Sequence, residues 1–162
     1  MILKIAQFVT LALAMLVAGV MWGTWLSLSR SIASFSAPTF LDIGHAMIAN
    51  LAPVMPALML STVASAATLA VLSYRERSFG WLFVTAGLAL LILVVAITLL
   101  IEVPIDNQIR VWTPTTVPAE WSALRDRWAV FHLVRTFASL MAVVAFLTAT
   151  IFCTDAGHTS QR

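Results

Sequence analysis

One uncharged stretch of the sequence, from Trp81 to Ile101, constrains the fold more than any other feature. A helix needs about 20 apolar residues to cross the ~30 Å hydrocarbon core of a bilayer, and this stretch supplies them without an ionisable side chain. The chain as a whole has the same character, with 61% hydrophobic and 10% charged residues. Such a chain cannot present a water-compatible surface as a soluble domain, so lipid must cover much of it. We therefore expect an integral membrane protein that is surrounded by membrane lipids as its partners.

Hydropathy divides the 162 residues into four predicted spans, at about residues 5–28, 51–72, 81–101 and 129–153. The predicted fold class is all-α: a polytopic membrane protein, an antiparallel four-transmembrane-helix bundle that forms a single domain over residues 1–162. The first span has an alternative interpretation, because Lys4 followed by an apolar run resembles a secretory signal. That run continues through Trp22 and Trp25, which makes it longer than a usual signal core and favours an uncleaved span.

The first and third connections are predicted to carry short helices at the membrane interface. In the first connection, Asp42 is a residue type that commonly starts a helix. The third connection is polar and aromatic, and its Trp112 suits the headgroup level. No proline or glycine follows Pro118 until the tail, so a single helix starting near Thr116 could run through the whole fourth span.

Basic residues suggest an orientation. The short turn between the second and third spans contains Arg75 and Arg77, and short basic connections tend to stay in the cytoplasm. Basic residues on the opposite side are more numerous, but they lie among acidic residues with which we expect them to pair. We therefore expect a multi-pass protein of the cell membrane with both termini cytoplasmic. The net charge of +2 is modest and scattered, so we expect no nucleic-acid partner.

Small residues predict where helices approach closely. Gly19 and Gly23 form a Gly-x-x-x-Gly spacing in the first span, and Ser61 and Ser65 lie on a small-residue face of the second. Both a monomeric bundle and a homo-oligomer could use these faces. The single cysteine, Cys153, cannot form an intrachain disulfide, and its apolar surroundings indicate helix packing.

Function is suggested first by one stripe of the fourth helix. A period of 3.6 residues places aromatic and ionisable side chains on one face, while the other faces carry Leu, Val, Phe and Ala. Ionisable groups inside a span usually face the bundle interior or a wet cavity. We therefore expect this face to point toward the other helices. The stripe consists of Trp121, Arg125, Trp128, His132, Arg135 and Ser139.

The third span ends at Glu102 on the side of the membrane where this stripe begins. We expect Glu102 or Asp106 to pair with Arg135 or Arg125, with His132 among them, in a polar pocket at one mouth of the bundle. Three interpretations stay open: a ligand-handling pocket, a structural ion pair between two helices, or an Arg135 that extends to the lipid headgroups. No metal site is expected, because the remaining histidines, His45 and His158, have no ligand spacing with His132.

A specific pattern fills the second half of the chain. It consists of Glu102-Val103-Pro104-Ile105-Asp106-Asn107-Gln108-Ile109, then Trp112, Trp121, Arg125, Trp128 and His132-Leu133-Val134-Arg135-Thr136. Together with residues 19–29 and 50–56 in the first half, it resembles the anthrone oxygenase-like family of small four-helix membrane proteins. The resemblance covers nearly the whole chain.

The resemblance implies insertion of molecular oxygen into a planar phenolic ketone, an anthrone, to give a quinone, without a metal, flavin or other cofactor. On that hypothesis His132 is the general base and Arg135 stabilises the oxyanion. Glu102 or Asp106 orients them, and Trp121 and Trp128 are flat walls for the substrate. The substrate-binding set implied by the pattern is Asp106, Asn107, Arg110, Trp121, Arg125 and Trp128.

A non-enzymatic protein is the alternative from a different class. A membrane accessory or structural subunit, or a binder of lipophilic ligands such as quinones, could use the same pocket for binding or for helix registration. Ion transport is less favoured, because the other three spans have no ionisable residue at mid-depth to form a relay.

Overall fold

A computed structural model describes residues 1–76 and 79–154. In this part of the chain, four helical stretches are long and apolar enough to cross a membrane: Ile2–Ser34, Met55–Arg75, Trp81–Val111 and Trp121–Ile151. The all-α, four-span prediction is therefore confirmed. The predictions that involved Arg77 and His158 lie outside the described residues.

Each span is built from elements with distinct bounds. Helix α1 (Ile2–Thr24) continues into a first π-helical segment (Trp25–Ser29) and a 3-10 turn (Ile32–Ser34). After α2 (Ala37–Leu51) and α3 (Met55–Arg75), α4 (Trp81–Ile97) continues through a second π-helical segment (Thr98–Glu102) into α5 (Val103–Val111). The last helix, α6, is Trp121–Thr154.

Prolines account for two helix starts that differ from the predictions. Helix α2 begins at Ala37 rather than at Asp42, because Pro38 occupies its first turn, where a missing N–H costs nothing. For the same reason α3 begins at Met55, next to Pro56, and not at residue 51. Helix α6 begins at Trp121 and not near Thr116, since a turn at residues 114–116 is closed by backbone bonds to Thr113.

The short helices α2 and α5 pack on each other at one end of the bundle. Their contact is held by the Nε2–H of His45, which donates to the backbone carbonyl of Ile109 at 2.8 Å. Trp112 is only 8% exposed and packs in an apolar cluster at this end. We call the cluster the cap; its buried members are Ile32, Phe40, Leu41, Ile105, Ile109, Trp112 and Trp128.

The opposite end of the bundle, where α1 begins, is tightly packed. Helices α4 and α6 touch where the ring of Phe146 lies against Gly87, so close that a Cβ at Gly87 would be 2.7 Å from it. Helices α1 and α3 are joined by a 2.7 Å hydrogen bond between the hydroxyls of Thr10 and Ser65. This packed end is formed around Ala14, Ala66, Leu69, Val84, Leu91, Ala142, Phe146 and Ala149.

The predicted Gly-x-x-x-Gly face is not used inside the bundle. Gly19 and Gly23 are exposed, and a Cβ added at either would meet nothing within 4 Å. Helix α1 instead turns Ala14, Val17 and Met21 inward. Small residues at other positions, such as Ala66 of α3 and Gly87 of α4, do pack within the bundle.

Candidate functional site

The ionisable stripe of α6 faces the other helices. His132 and Ser139 are each 1% exposed and Trp128 is 7% exposed, whereas Val130, Val134 and Phe137 on the remaining faces are open to lipid. Helix α6 packs against α1 and α4 through this face. The stripe therefore brings its charged and hydrogen-bonding groups into the interior of the bundle.

An ion pair joins α6 to the second π-helical segment. Nη2 of Arg135 lies 3.0 Å from Oε2 of Glu102, and only 13% and 1% of these side chains are exposed. The N–H bonds of Arg135 do not point at the carboxylate of Glu102. Among the described residues, neither of these buried oxygens therefore accepts a well-aligned hydrogen bond. The attraction is thus electrostatic, and in a dry site it is strong. This inward contact is inconsistent with an Arg135 that extends to the headgroups.

Two further bonds hold Arg135. Its Nη1–H donates to the hydroxyl of Thr98 at 3.2 Å, and that hydroxyl donates in turn to the carbonyl of Val94 at 2.8 Å. Its Nε–H donates to Nδ1 of His132 at 3.2 Å, and Nη2 lies 3.0 Å from the same atom. The guanidinium is therefore fixed on three sides.

His132 has a bond on each ring nitrogen. Because Nδ1 accepts from Arg135, the ring proton lies on Nε2, which donates to the backbone carbonyl of Met21 at 3.2 Å. The ring also stacks on Trp128, with centroids 4.8 Å apart and planes 3° from parallel. Both nitrogens and one face of the imidazole are thus already engaged, which favours a positioning role for His132 over the role of free general base.

The two π-helical segments explain how these groups meet. Pro104 cannot donate a backbone hydrogen bond, and its ring crowds the carbonyl four residues earlier, so the preceding turn widens. This turn carries Thr98 and Glu102, two of the three partners of Arg135 described above. The first π-helical segment begins just after Met21, whose carbonyl is the partner of His132. Both irregular turns therefore flank the same cluster, as π-helical turns often flank functional sites.

A cavity of about 480 Å³ lies beside this cluster, between α1, α2, α3, α5 and α6. Its volume is within the range typical of small-molecule sites, ~300–1,000 Å³. Most of its wall is apolar, with Met21, Met47 and Met59 among the lining side chains. The side chains with polar groups in the lining are Thr24, Thr98, Asp106, Asn107, Arg110, Trp128, His132 and Arg135.

Most of the sequence-predicted site residues reach this cavity. Asp106, Asn107 and Arg110 project from α5 into its wall, and the carboxylate of Asp106 is attracted to Arg135 and Arg110. Glu102 does not line the cavity; it is fully buried behind Arg135.

Two predicted residues lie elsewhere. Trp121 packs on Phe40 in the cap, with ring centroids 5.4 Å apart. The guanidinium of Arg125 lies 5.0 Å above the Trp121 ring and pairs with Asp126 at 2.8 Å. Neither residue lines the cavity, because α6 begins at Trp121 and its first turns lie beyond the cavity, against α2 and the turn after α1.

Sequence reasoning missed three contributors. Thr98 lies one helical turn before Glu102, so its spacing could have revealed it. The carbonyl of Met21 carries no sequence signal, since any residue has a backbone oxygen. The methionine-lined wall from α2 and α3 is a tertiary feature of two elements that the sequence did not place together. In the part of the chain that the structure describes, no cluster of three or more His, Cys, Asp or Glu side chains could hold a metal.

The fold and the site define a class: a small four-helix membrane protein with an apolar cavity beside a buried Arg–Glu pair. A family model described as anthrone oxygenase matches residues 45–145, which include the last part of α2, all of α3 to α5 and most of α6. The chain belongs to this anthrone oxygenase family. Comparisons with curated proteins and with solved structures gave no match.

Proposed function

We propose that the protein oxidises a planar phenolic ketone of the anthrone class with molecular oxygen, without a bound cofactor. The observation that carries this proposal is the mostly apolar cavity that is lined by Arg135, whose guanidinium is held by Glu102, Thr98 and His132. A flat apolar molecule would fill the methionine-lined part, and its oxygen would face the guanidinium. The family membership supports the same reaction class.

The reaction balances with oxygen as the only co-substrate. Removal of one proton from the ring CH₂ of an anthrone leaves its electron pair on the ring system as a phenolate. That anion transfers electrons to O₂ and forms a C–O bond, which gives a hydroperoxide once the proton returns to the peroxide oxygen. Loss of the second C–H proton and cleavage of the O–O bond then give the quinone and water. One O₂ is consumed for each quinone formed, and no hydrogen peroxide is released.

Arg135 fits the need for a fixed cation beside the developing oxyanion. A donor held before the reaction begins needs no reorganisation in the transition state, and low polarity strengthens its effect. Glu102 neutralises the guanidinium from behind, and His132 fixes its direction. Trp128, stacked on His132, gives one flat wall of the cavity.

The test is oxidation of anthrone by the purified full chain in lipid nanodiscs. We expect quinone formation well above the rate in protein-free nanodiscs, with equal amounts of O₂ consumed and quinone formed. Asp42→Asn, a change at an exposed carboxylate outside the cavity wall, should keep the wild-type rate. A wild-type rate equal to the protein-free rate would contradict the proposal. Saturable anthraquinone binding with no rate would instead favour the non-enzymatic, ligand-binding alternative.

We further propose that the protein lies in the cell membrane with its termini cytoplasmic, so that the cap is on the opposite side. In a chain with Cys153→Ser, cysteines placed at exposed Thr115 and exposed Glu76 would lie on opposite sides. A membrane-impermeant maleimide should label Thr115→Cys in intact cells, and Glu76→Cys only after permeabilisation. The reverse pattern would overturn this orientation.

A further inference from the structure

We infer that Asp106 is the proton acceptor of the cavity, with Arg135 receiving the oxyanion and His132 acting only as a positioning residue. This inference rests on the proposed function, because it assigns the base for the first step of that reaction. It differs from the role that the sequence resemblance gave to His132.

Neither ring nitrogen of His132 is free to accept a proton. Nδ1 accepts hydrogen bonds from Arg135, and Nε2 already carries a proton that it donates to Met21. Accepting a substrate proton at Nδ1 would place an imidazolium directly against a guanidinium, and like charges at that distance repel. An imidazole in this position can orient Arg135 but is a poor proton acceptor.

Glu102 is not placed to accept the proton of a substrate in the cavity. Its carboxylate is 0% exposed, does not line the cavity, and lies on the far side of Arg135. A substrate in the cavity would meet the guanidinium before it reached this oxygen. Glu102 therefore acts through Arg135, as its counter-ion.

Asp106 lies in the cavity wall, where a bound substrate can reach its carboxylate. Of the described residues that line the cavity, it is the only carboxylate. It is half-buried, on the first turn of α5, and its carboxylate is attracted to the guanidinium groups of Arg135 and Arg110. The carboxylate and the guanidinium of Arg135 line the same cavity, so one substrate can place a C–H bond toward the first and an oxygen toward the second.

Proton transfer from the substrate to Asp106 does not require O₂. The carboxylate of Asp106 forms an O–H bond as the C–H bond of the substrate breaks, and the electron pair remains on the substrate as a phenolate paired with Arg135. In the absence of O₂ the step can only reverse. Exchange of the carboxyl proton with water then replaces the hydrogen on the substrate carbon.

The experiment is anaerobic loss of deuterium from anthrone labelled at its CH₂ group, followed by mass spectrometry with the full chain in nanodiscs. Wild type should accelerate the loss above that in protein-free nanodiscs. Asp106→Asn should lower the accelerated rate about 100-fold or more, as general bases typically contribute 10²–10⁴. His132→Gln should retain more exchange than Asp106→Asn. Asp42→Asn is the matched control and should exchange like wild type.

Folding of the variants is checked by anthraquinone binding, which Asp106→Asn should retain. Asp106→Glu keeps a carboxylate in the cavity wall and should exchange faster than Asp106→Asn, so the inference does not depend on one variant. Wild-type exchange in Asp106→Asn, its loss in His132→Gln alone, or no acceleration by wild type would each overturn the inference. Normal exchange by wild type without aerobic oxidation would leave the inference standing and contradict the oxygenation.

Discussion

The two ends of this bundle differ in how closely their helices pack: one end is tightly packed and the other encloses a cavity. The end where α1 begins is filled by small residues and one large ring, with Gly87 against Phe146 and no room for an added methyl group. The cap end is hollow. It encloses a cavity of about 480 Å³, which is bordered by Arg135 of the buried ion pair and by the short helices α2 and α5. Because lipid gives no hydrophobic force between helices, close packing at one end supplies stability that the hollow end lacks.

The largest expected effect comes from breaking the ion pair of the hollow end. Arg135→Leu leaves the fully buried Glu102 without its cation, and such a change typically costs about 3–5 kcal/mol. Thermal or denaturant unfolding in detergent measures it. Arg135→Leu combined with Glu102→Leu should recover much of the lost stability but show no anthrone oxidation. If the double variant is no more stable than the single one, the pair is not what holds this end together.

The packed end should be sensitive to one methyl group. Gly87→Ala places a Cβ 2.7 Å from the ring of Phe146, which is 1% exposed and cannot move away, so we expect a loss of about 1–3 kcal/mol. Gly19→Ala is the matched control, because nothing lies within 4 Å of its Cβ position. Equal unfolding temperatures for the two variants would mean that the Gly87 contact is not tight.

The hollow end should accept added volume that the packed end rejects. Val20 lines the cavity, so Val20→Phe fills empty space, and we expect a stability change below about 1.5 kcal/mol. The same ring should occupy the place of the substrate and lower the rate of anthrone oxidation at least tenfold. Full activity in Val20→Phe would mean that the reaction does not take place in this cavity.

The smallest effect is expected from one hydrogen bond to Arg135. Thr98→Val keeps the shape of the side chain but removes the acceptor of the Nη1–H, at a cost of about 1 kcal/mol. Since the change loosens the direction of the guanidinium, we expect kcat for anthrone to fall more than KM rises. Thr68→Val, which removes a similar exposed hydroxyl from α3 outside the cavity wall, should leave both constants unchanged.

The contrast between the ends also explains what sequence could predict. Span positions and the inward face of α6 follow from hydropathy and helical spacing, which depend only on local sequence, so His132 and Arg135 were placed on the correct face. The start of α6 depends on turn bonds around Thr113, and the sequence expectation therefore extended the site to Trp121 and Arg125. The partner of His132 is a backbone carbonyl of α1, which no side-chain pattern reveals.

The hollow itself could not be predicted, because a cavity depends on how far helices stand apart and not on which residues they contain. The sequence indicated Glu102 and Asp106 as alternative partners of an arginine in the polar pocket and could not tell their positions apart. The distinct position of Asp106, facing the cavity while Glu102 lies behind Arg135, required the widened π-helical turn before Pro104.

The most direct measurement is to find where a planar quinone binds. Anthraquinone abstracts hydrogen from neighbouring C–H bonds under ultraviolet light, so mass spectrometry of irradiated nanodisc samples can locate its contacts. We predict saturable labelling of cavity-lining residues such as Met21, Met47 and Trp128, and its loss in Val20→Phe. Labelling spread over lipid-facing residues such as Phe8 and Leu147, unchanged in Val20→Phe, would contradict a substrate site in the cavity.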